Sequence, residues 1–215
     1  MIRSNDGIEI PTTLAEWCDP RRMALVVYDM QVGICHQVEG AAAIVERTGV
    51  ALEAARSAGM RVAFTRHLSL PKAWMGATQL RTAMAWQRHD NPDAVQPWFP
   101  RDADTTQIVP ELAPRADEAV FDKLTMSAFD STALGFALRD CGVRAVALAG
   151  IAMEIGIEPT VRQATDNGFA AILIEDACGF GNKEARDRSM ATLRFLGEAI
   201  VTDVAGFRGA LTDAR

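Results

Sequence analysis

Two ionisable side chains stand where runs of apolar residues end. Asp29 closes Met23 to Met30 (MALVVYDM), and Lys123 closes Glu118 to Lys123 (EAVFDK). An ionised aspartate in such a run is costly to bury without a partner, and a lysine ammonium is the natural one. Such a pair can move protons and balance charge at a small-molecule site. It can equally be a plain ion pair tying two strands, and spacing alone leaves both readings open. A third feature, Gly150-Ile151-Ala152-Met153-Glu154-Ile155-Gly156, leads from a further apolar run into a segment of helical period.

The elements that must position these residues alternate along the chain. Met23 to Met30 and Met60 to Arg66 read as strands around an alanine-rich helix that Gly59 ends, a β-α-β unit. The rhythm resumes with a strand at Glu118 to Lys123, a helix near Ser131 to Asp140 and a strand at Val143 to Gly150. A helix near Glu154 to Asn167, a strand at Phe169 to Asp176, a helix near Lys183 to Leu196 and a last strand around Glu198 to Asp203 complete it. Six strands alternating with helices imply one α/β domain over 1–215, a parallel sheet with helices on both faces. In such sheets ligands bind beyond the carboxyl ends of strands, where the topology switches direction. Asp29, Lys123 and the Gly150–Gly156 turn all fall at such ends.

Residues 1–20 read as an N-terminal extension, and 68–117 as a long insertion on the side of the strand ends. The insertion carries six prolines and three tryptophans, Trp74, Trp86 and Trp98. A loop of this length is usually functional or has its own helix, here expected over Lys72 to Gln87 with Trp74, Gln79, Arg81 and Trp86 on it. With 215 residues, 49% of them hydrophobic, the chain can bury one sizeable core. A net charge of −6 without a basic cluster argues against nucleic acid and anionic membrane as partners. The N-terminus, with Asp6, Glu9, Glu16 and Asp19 and no apolar run, reads as neither leader nor span, which gives a cytoplasmic expectation. Cys18, Cys35, Cys141 and Cys178 are scattered with no C-x-x-C pair and read as reduced thiols.

The segments VVYDMQ, FDKLTMSAF, GIAMEIGIEPTVRQATDNGF and ILIEDACG, in this order, resemble the isochorismatase-like hydrolase superfamily, often called the cysteine hydrolases. The resemblance spans Arg22 to Val204. It implies a catalytic group of aspartate, lysine and cysteine; the first two fall on Asp29 and Lys123, and the cysteine position falls on Gly156. No thiolate can form there, and the four cysteines elsewhere read as packed or peripheral residues. The resemblance also includes true isochorismatases, which cleave a vinyl ether and carry glycine at this position. Their chemistry needs a proton donor, a role that would fall to a protonated Asp29, with Lys123 contacting substrate rather than neutralising the acid. Gly156 would then leave room for substrate or water. The resemblance further implies a cis peptide between Ile151 and Ala152, with the amides of Ala152 and Gly156 directed into the pocket to bind an oxyanion or carboxylate.

Nicotinamidases of the same superfamily bind zinc through an aspartate and two histidines after the second strand. Here that region reads FTRHLSLP, where His67 stands alone, so no metal site and no cofactor are expected. His67 is either a loop residue satisfied by backbone or part of the pocket wall. Glu154 either supplies a second acid or amine contact or is a first-turn glutamate favoured by the helix dipole. Ser127 and Phe129 are expected to face or flank the cleft. Trp74 and Trp86 are expected over the ligand or in core and subunit contacts, with Gln79 and Arg81 beside them. The sequence therefore points to a metal-free hydrolase of a small, carboxylated metabolite, cleaving a vinyl ether or related C–O or C–N bond by acid-base catalysis, and to a homo-oligomer. The rival is a catalytically silent member that binds a metabolite or a partner protein.

Overall fold

A computed structural model describes residues 1–213. The chain starts with a small antiparallel hairpin, β1 (Ile2–Arg3) and β2 (Glu9–Ile10), and one helical turn, α1 (Leu14–Trp17), capped by Thr13 and Glu16 in a reciprocal box. The main sheet begins with β3 (Met23–Tyr28). After the turn α2 (Val32–Cys35) and helix α3 (Ala41–Ser57) it continues with β4 (Arg61–His67). Helix α4 (Ala77–Gln87) lies in the long segment that precedes β5 (Ala119–Lys123). Then come α5 (Leu134–Asp140), β6 (Ala145–Gly150), α6 (Glu158–Asp166), β7 (Ala170–Cys178), α7 (Lys183–Leu196), β8 (Ala199–Thr202) and α8 (Val204–Asp213).

The six long-range strands form one parallel sheet in the order β5-β4-β3-β6-β7-β8. Every residue of β3 and β6 is buried, as expected of central strands covered on both faces. One face packs Leu25, Val27, Phe64, Ala147 and Ile172 under α3 and α8; the other packs Val26, Leu148, Val161 and Leu193 under α5, α6 and α7. Helix α3 presents Ala41, Thr48, Ala51, Leu52 and Ala55 inward, a stripe of helical period, and Gly59 ends it at φ +70°. The chain leaves β3 toward β4 and β5, then returns to β6 on its other side. The switch point therefore lies between β3 and β6, directly above Asp29 and the Gly150–Gly156 turn.

The strands and the helices named in the sequence reading are present within a few residues of their expected ends. The expected helix over Lys72 to Gln87 is two pieces: a 3₁₀ turn at Lys72–Trp74 after Pro71, then α4, with the break at Met75 and Gly76. The rest of the insertion is held by short 3₁₀ turns at Pro92–Ala94, Asp104–Thr106 and Pro110–Leu112. Among the described residues no helix is long and apolar enough to cross a membrane.

Candidate active site

Asp29 follows the last residue of β3 and takes a left-handed backbone conformation, φ 47°, uncommon for a residue with a side chain. That turn sends its carboxylate under the strand ends instead of along the sheet. There Oδ1 accepts a hydrogen bond from the Thr65 hydroxyl at 2.6 Å and Oδ2 lies 2.7 Å from Lys123 Nζ. Lys123 closes β5, two strands away, and reaches beneath β4 to this point. Its ammonium also donates to the Tyr28 hydroxyl at 2.8 Å and to the Thr125 carbonyl at 3.1 Å, which uses all three protons. Both charges are almost completely buried.

Tyr28 is the only tyrosine of the chain. Its hydroxyl accepts from Lys123 and donates to the Met126 carbonyl, and its ring lies 4.5 Å below the Lys123 ammonium. Burial, then the neighbouring Asp29 carboxylate, push its phenol well above the usual range, so it stays protonated. Two glycines make room for this side chain. A Cβ on Gly150 (φ 135°) would collide with the Tyr28 backbone, and one on Gly156 would lie 2.7 Å from Tyr28 Cε1 and closer still to its hydroxyl. The space beside Gly156 is thus filled by a phenol, which corrects the expectation that it is left for substrate or water. Gly156→Ala is accordingly expected to cost about 2 to 3 kcal/mol by overpacking, and pairing it with Tyr28→Val to cost less than the sum of the two single changes. Urea unfolding of the four proteins checks this; additive costs would mean the two residues do not share one space.

Above Tyr28 and Asp29 opens a cavity of about 350 Å³. Ile151, Ala152, Ile155 and Gly181 wall one side, Ile34, Gln37 and Val38 of the α2 segment another, and His67, Trp86, Trp98, Phe99 and Met126 the rest. Asp29 is the only carboxylate in this wall among the described residues, and no lysine or arginine belongs to it. His67 lies in the wall, and burial together with the Lys123 charge lowers its pKa to about 4, so it is neutral at physiological pH. Gln31, at the end of the VVYDMQ segment, fixes the frame: its amide donates to the carbonyls of His67 and Thr106 and accepts from the His67 amide.

The other expected contacts divide. Ile151 and Ala152, joined by a cis peptide, and Trp86 line the cavity; Gln79 lines an adjoining cavity that shares Trp86, Trp98 and Phe99. Trp74 is 77% exposed and lines neither, and Arg81 is exposed and lines neither. Phe129 stacks on Phe169 at 5.6 Å in the core, and the Ser127 hydroxyl accepts from the Phe129 amide, so neither flanks the cleft; Met126, just before them, does. Glu154 lies outside the cavity wall, and its Oε1 accepts from the amides of Gly181 and Asn182. The Gly156 amide donates to the Ala152 carbonyl at 3.0 Å and is not an oxyanion donor; no hydrogen-bond partner is found for the Ala152 amide among the described residues. Lys123, expected against substrate, is instead sealed behind Tyr28 and Asp29. Tyr28 itself was missed, although a lone tyrosine inside a buried apolar run and next to an aspartate is a readable signal.

The chain is similar to known proteins over most of its length. The isochorismatase domain model matches residues 23–206. Among curated proteins, the uncharacterized isochorismatase family protein YwoC of Bacillus subtilis is 33% identical over 117 residues, 50% of this chain, which spans 60% of its length. The ureidoacrylate amidohydrolase RutB of Caulobacter segnis is 26% identical over 179 residues, 74% of this chain and 73% of that protein. Among solved structures, a cysteine hydrolase from Pseudomonas syringae pv. phaseolicola superposes with a TM-score of 0.79 at 24% identity, over 93% of this chain and 96% of the other. N-carbamoylsarcosine amidase from Thermoplasma acidophilum superposes with a TM-score of 0.67 at 24% identity, over 85% and 96%.

Proposed function

We propose that this chain, a hydrolase that belongs to the isochorismatase family, cleaves a small uncharged metabolite with a water molecule activated by Asp29, and forms no covalent intermediate on a cysteine. The observation that carries this reading is that Asp29 is the sole carboxylate in the cavity wall, with Lys123 2.7 Å behind it. Lys123 and Thr65 each donate to one of its oxygens, so the carboxyl group is held as an acceptor. We read Asp29 as the base that takes a proton from water, where the resemblance to isochorismatases implied a protonated acid. The resemblance puts the family's cysteine at Gly156, and the four cysteines elsewhere are not in the cavity wall. Cys18 and Cys35 are pushed up to about 11 by burial and Cys178 higher still, which disfavours the reactive thiolate.

The substrate follows from the wall. With Lys123 committed to three protein acceptors and His67 neutral, no cationic group faces the cavity, so the carboxylated substrate expected from sequence finds no counter-ion there. Aromatic and aliphatic side chains, with Gln37 and the Ala152 amide as polar contacts, favour an uncharged amide, ureide or ester. The amidohydrolase similar to this chain agrees with an amide-type bond, while its ureidoacrylate substrate carries a carboxylate for which this cavity wall offers no cationic side chain. Zinc does not fit: the His67 ring packs edge-on against Phe99, and no three His, Cys, Asp or Glu side chains are grouped to hold a metal ion among the described residues.

Phenyl acetate, a neutral aryl ester of suitable size, is the test substrate. Its hydrolysis is expected to survive chelation and full alkylation of the exposed Cys141 by iodoacetamide. Loss of turnover with a single label on Cys35 in a folded protein, or on zinc removal, would overturn the reading.

A further inference from the structure

We propose that the Tyr28 hydroxyl is the second catalytic group of this site, the proton donor to the leaving atom, linked to Asp29 through Lys123. The proposal rests on the Asp29 base of the preceding reading and adds the group that base requires. A base that makes hydroxide from water leaves the reaction one proton short at the departing oxygen or nitrogen, which is a poor leaving group as an anion. Only two further ionisable side chains reach the cavity wall among the described residues, His67 and Tyr28. His67 is neutral with its pKa near 4 and holds no proton of useful acidity to spare. Tyr28 keeps its proton, and that proton rests on the Met126 carbonyl, itself part of the wall, so rotation about the phenolic C–O bond turns it toward a ligand.

Lys123 Nζ stands between the two groups, 2.7 Å from Asp29 and 2.8 Å from the Tyr28 oxygen. The cycle balances through it. Water gives a proton to the Asp29 carboxylate and its oxygen bonds to the substrate carbon. The bond from that carbon to the leaving atom breaks, and the leaving atom takes the phenolic proton. Lys123 then passes one proton to the Tyr28 oxygen and takes one from Asp29, which restores all three groups with one water consumed. The space beside Gly156 gains a purpose in this scheme, since without it the phenol could not stand against both the lysine and the cavity.

A leaving-group comparison tests this. Benzyl acetate releases an alkoxide, more basic than any tyrosinate, that needs a proton, whereas 4-nitrophenyl acetate releases a stable anion. Tyr28→Phe keeps the ring beside Gly156 and removes only the hydroxyl. It is expected to slow benzyl acetate hydrolysis about 10²-fold or more, in line with loss of a positioned acid, and to change 4-nitrophenyl acetate hydrolysis only a few-fold. Asp29→Asn should slow both esters alike. Equal loss on both esters in Tyr28→Phe would make Tyr28 a positioning residue, and no loss on either would make it a packing residue; both results overturn the proposal and leave Asp29 as the base. If the hydrolysis of both esters is independent of Asp29, the reading of the function fails and the Tyr28 relay falls with it.

Discussion

Asp29→Asn lowers kcat for phenyl acetate by about 10²- to 10⁴-fold, the range for removing a positioned general base. Asparagine keeps the shape of the side chain and its oxygen still accepts from Lys123 or Thr65, so the cavity wall is preserved. What is lost is the group that accepts a proton from water. Affinity for a non-hydrolysable analogue such as acetophenone therefore changes far less than the rate, because the carboxylate acts in the transition state more than in ground-state binding. The variant also leaves the Lys123 ammonium buried against a neutral amide, so rates belong at a temperature where circular dichroism shows the fold intact. A wild-type rate in a folded Asp29→Asn protein would remove Asp29 from catalysis.

Lys123→Met produces the second large effect, chiefly in stability. The ammonium is the cationic partner of a carboxylate that is 3% exposed, and it also ties β5 to the ends of β3 through Tyr28. Removing one member of a buried pair leaves the other charge unpaired, at a cost of about 3 to 5 kcal/mol. For a chain of this size that is a fall in Tm of roughly 6 to 20 °C. Methionine fills much of the same volume, so the loss is electrostatic rather than a cavity. Adding Asp29→Asn to Lys123→Met should recover part of it, because the orphaned charge is then gone. A Lys123→Met protein within about 1 kcal/mol of wild type, or a double variant weaker than the sum of the two single ones, would mean the pair is not held as an ion pair.

How much of this was legible without coordinates varies along the chain in ways that have physical causes. The sheet was readable because β3, β6 and β7 are covered on both faces and so appear as unbroken apolar runs, with glycine at the helix ends. Helix α8 shows its helical spacing in Val204, Phe207, Ala210 and Leu211, but it follows the last strand of the alternation, where the rhythm gives no sign that the fold continues. Asp29 and Lys123 were readable because charge inside such runs has few explanations. Their pairing was readable as well, since a buried aspartate calls for a cation; the placement of Lys123 against substrate was not right, because its reach under β4 brings it to 2.7 Å from Asp29 behind the cavity wall. The insertion gave up its aromatic content but not its arrangement. Trp86 and Trp98 face the cavity while Trp74 faces solvent, a choice made by the break at Gly76 and by the prolines that fold the segment back. The Tyr28–Gly156 pairing joins residues far apart in sequence, and periodicity carries no sign of it.

Attack by water without a covalent intermediate is decided most directly by where the oxygen of the product comes from. With enzyme in excess over phenyl acetate in ¹⁸O-enriched water, a single turnover is quenched, and the acetate and the tryptic peptide of residues 23–47, which holds Tyr28, Asp29 and Cys35, are weighed by mass spectrometry. Direct attack by Asp29-activated water predicts acetate carrying one solvent oxygen, and a peptide that is neither acetylated during turnover nor enriched in ¹⁸O afterwards. An acetylated peptide, or ¹⁸O built into the Asp29 carboxylate with unlabelled oxygen in the first acetate, would show a covalent intermediate and contradict it.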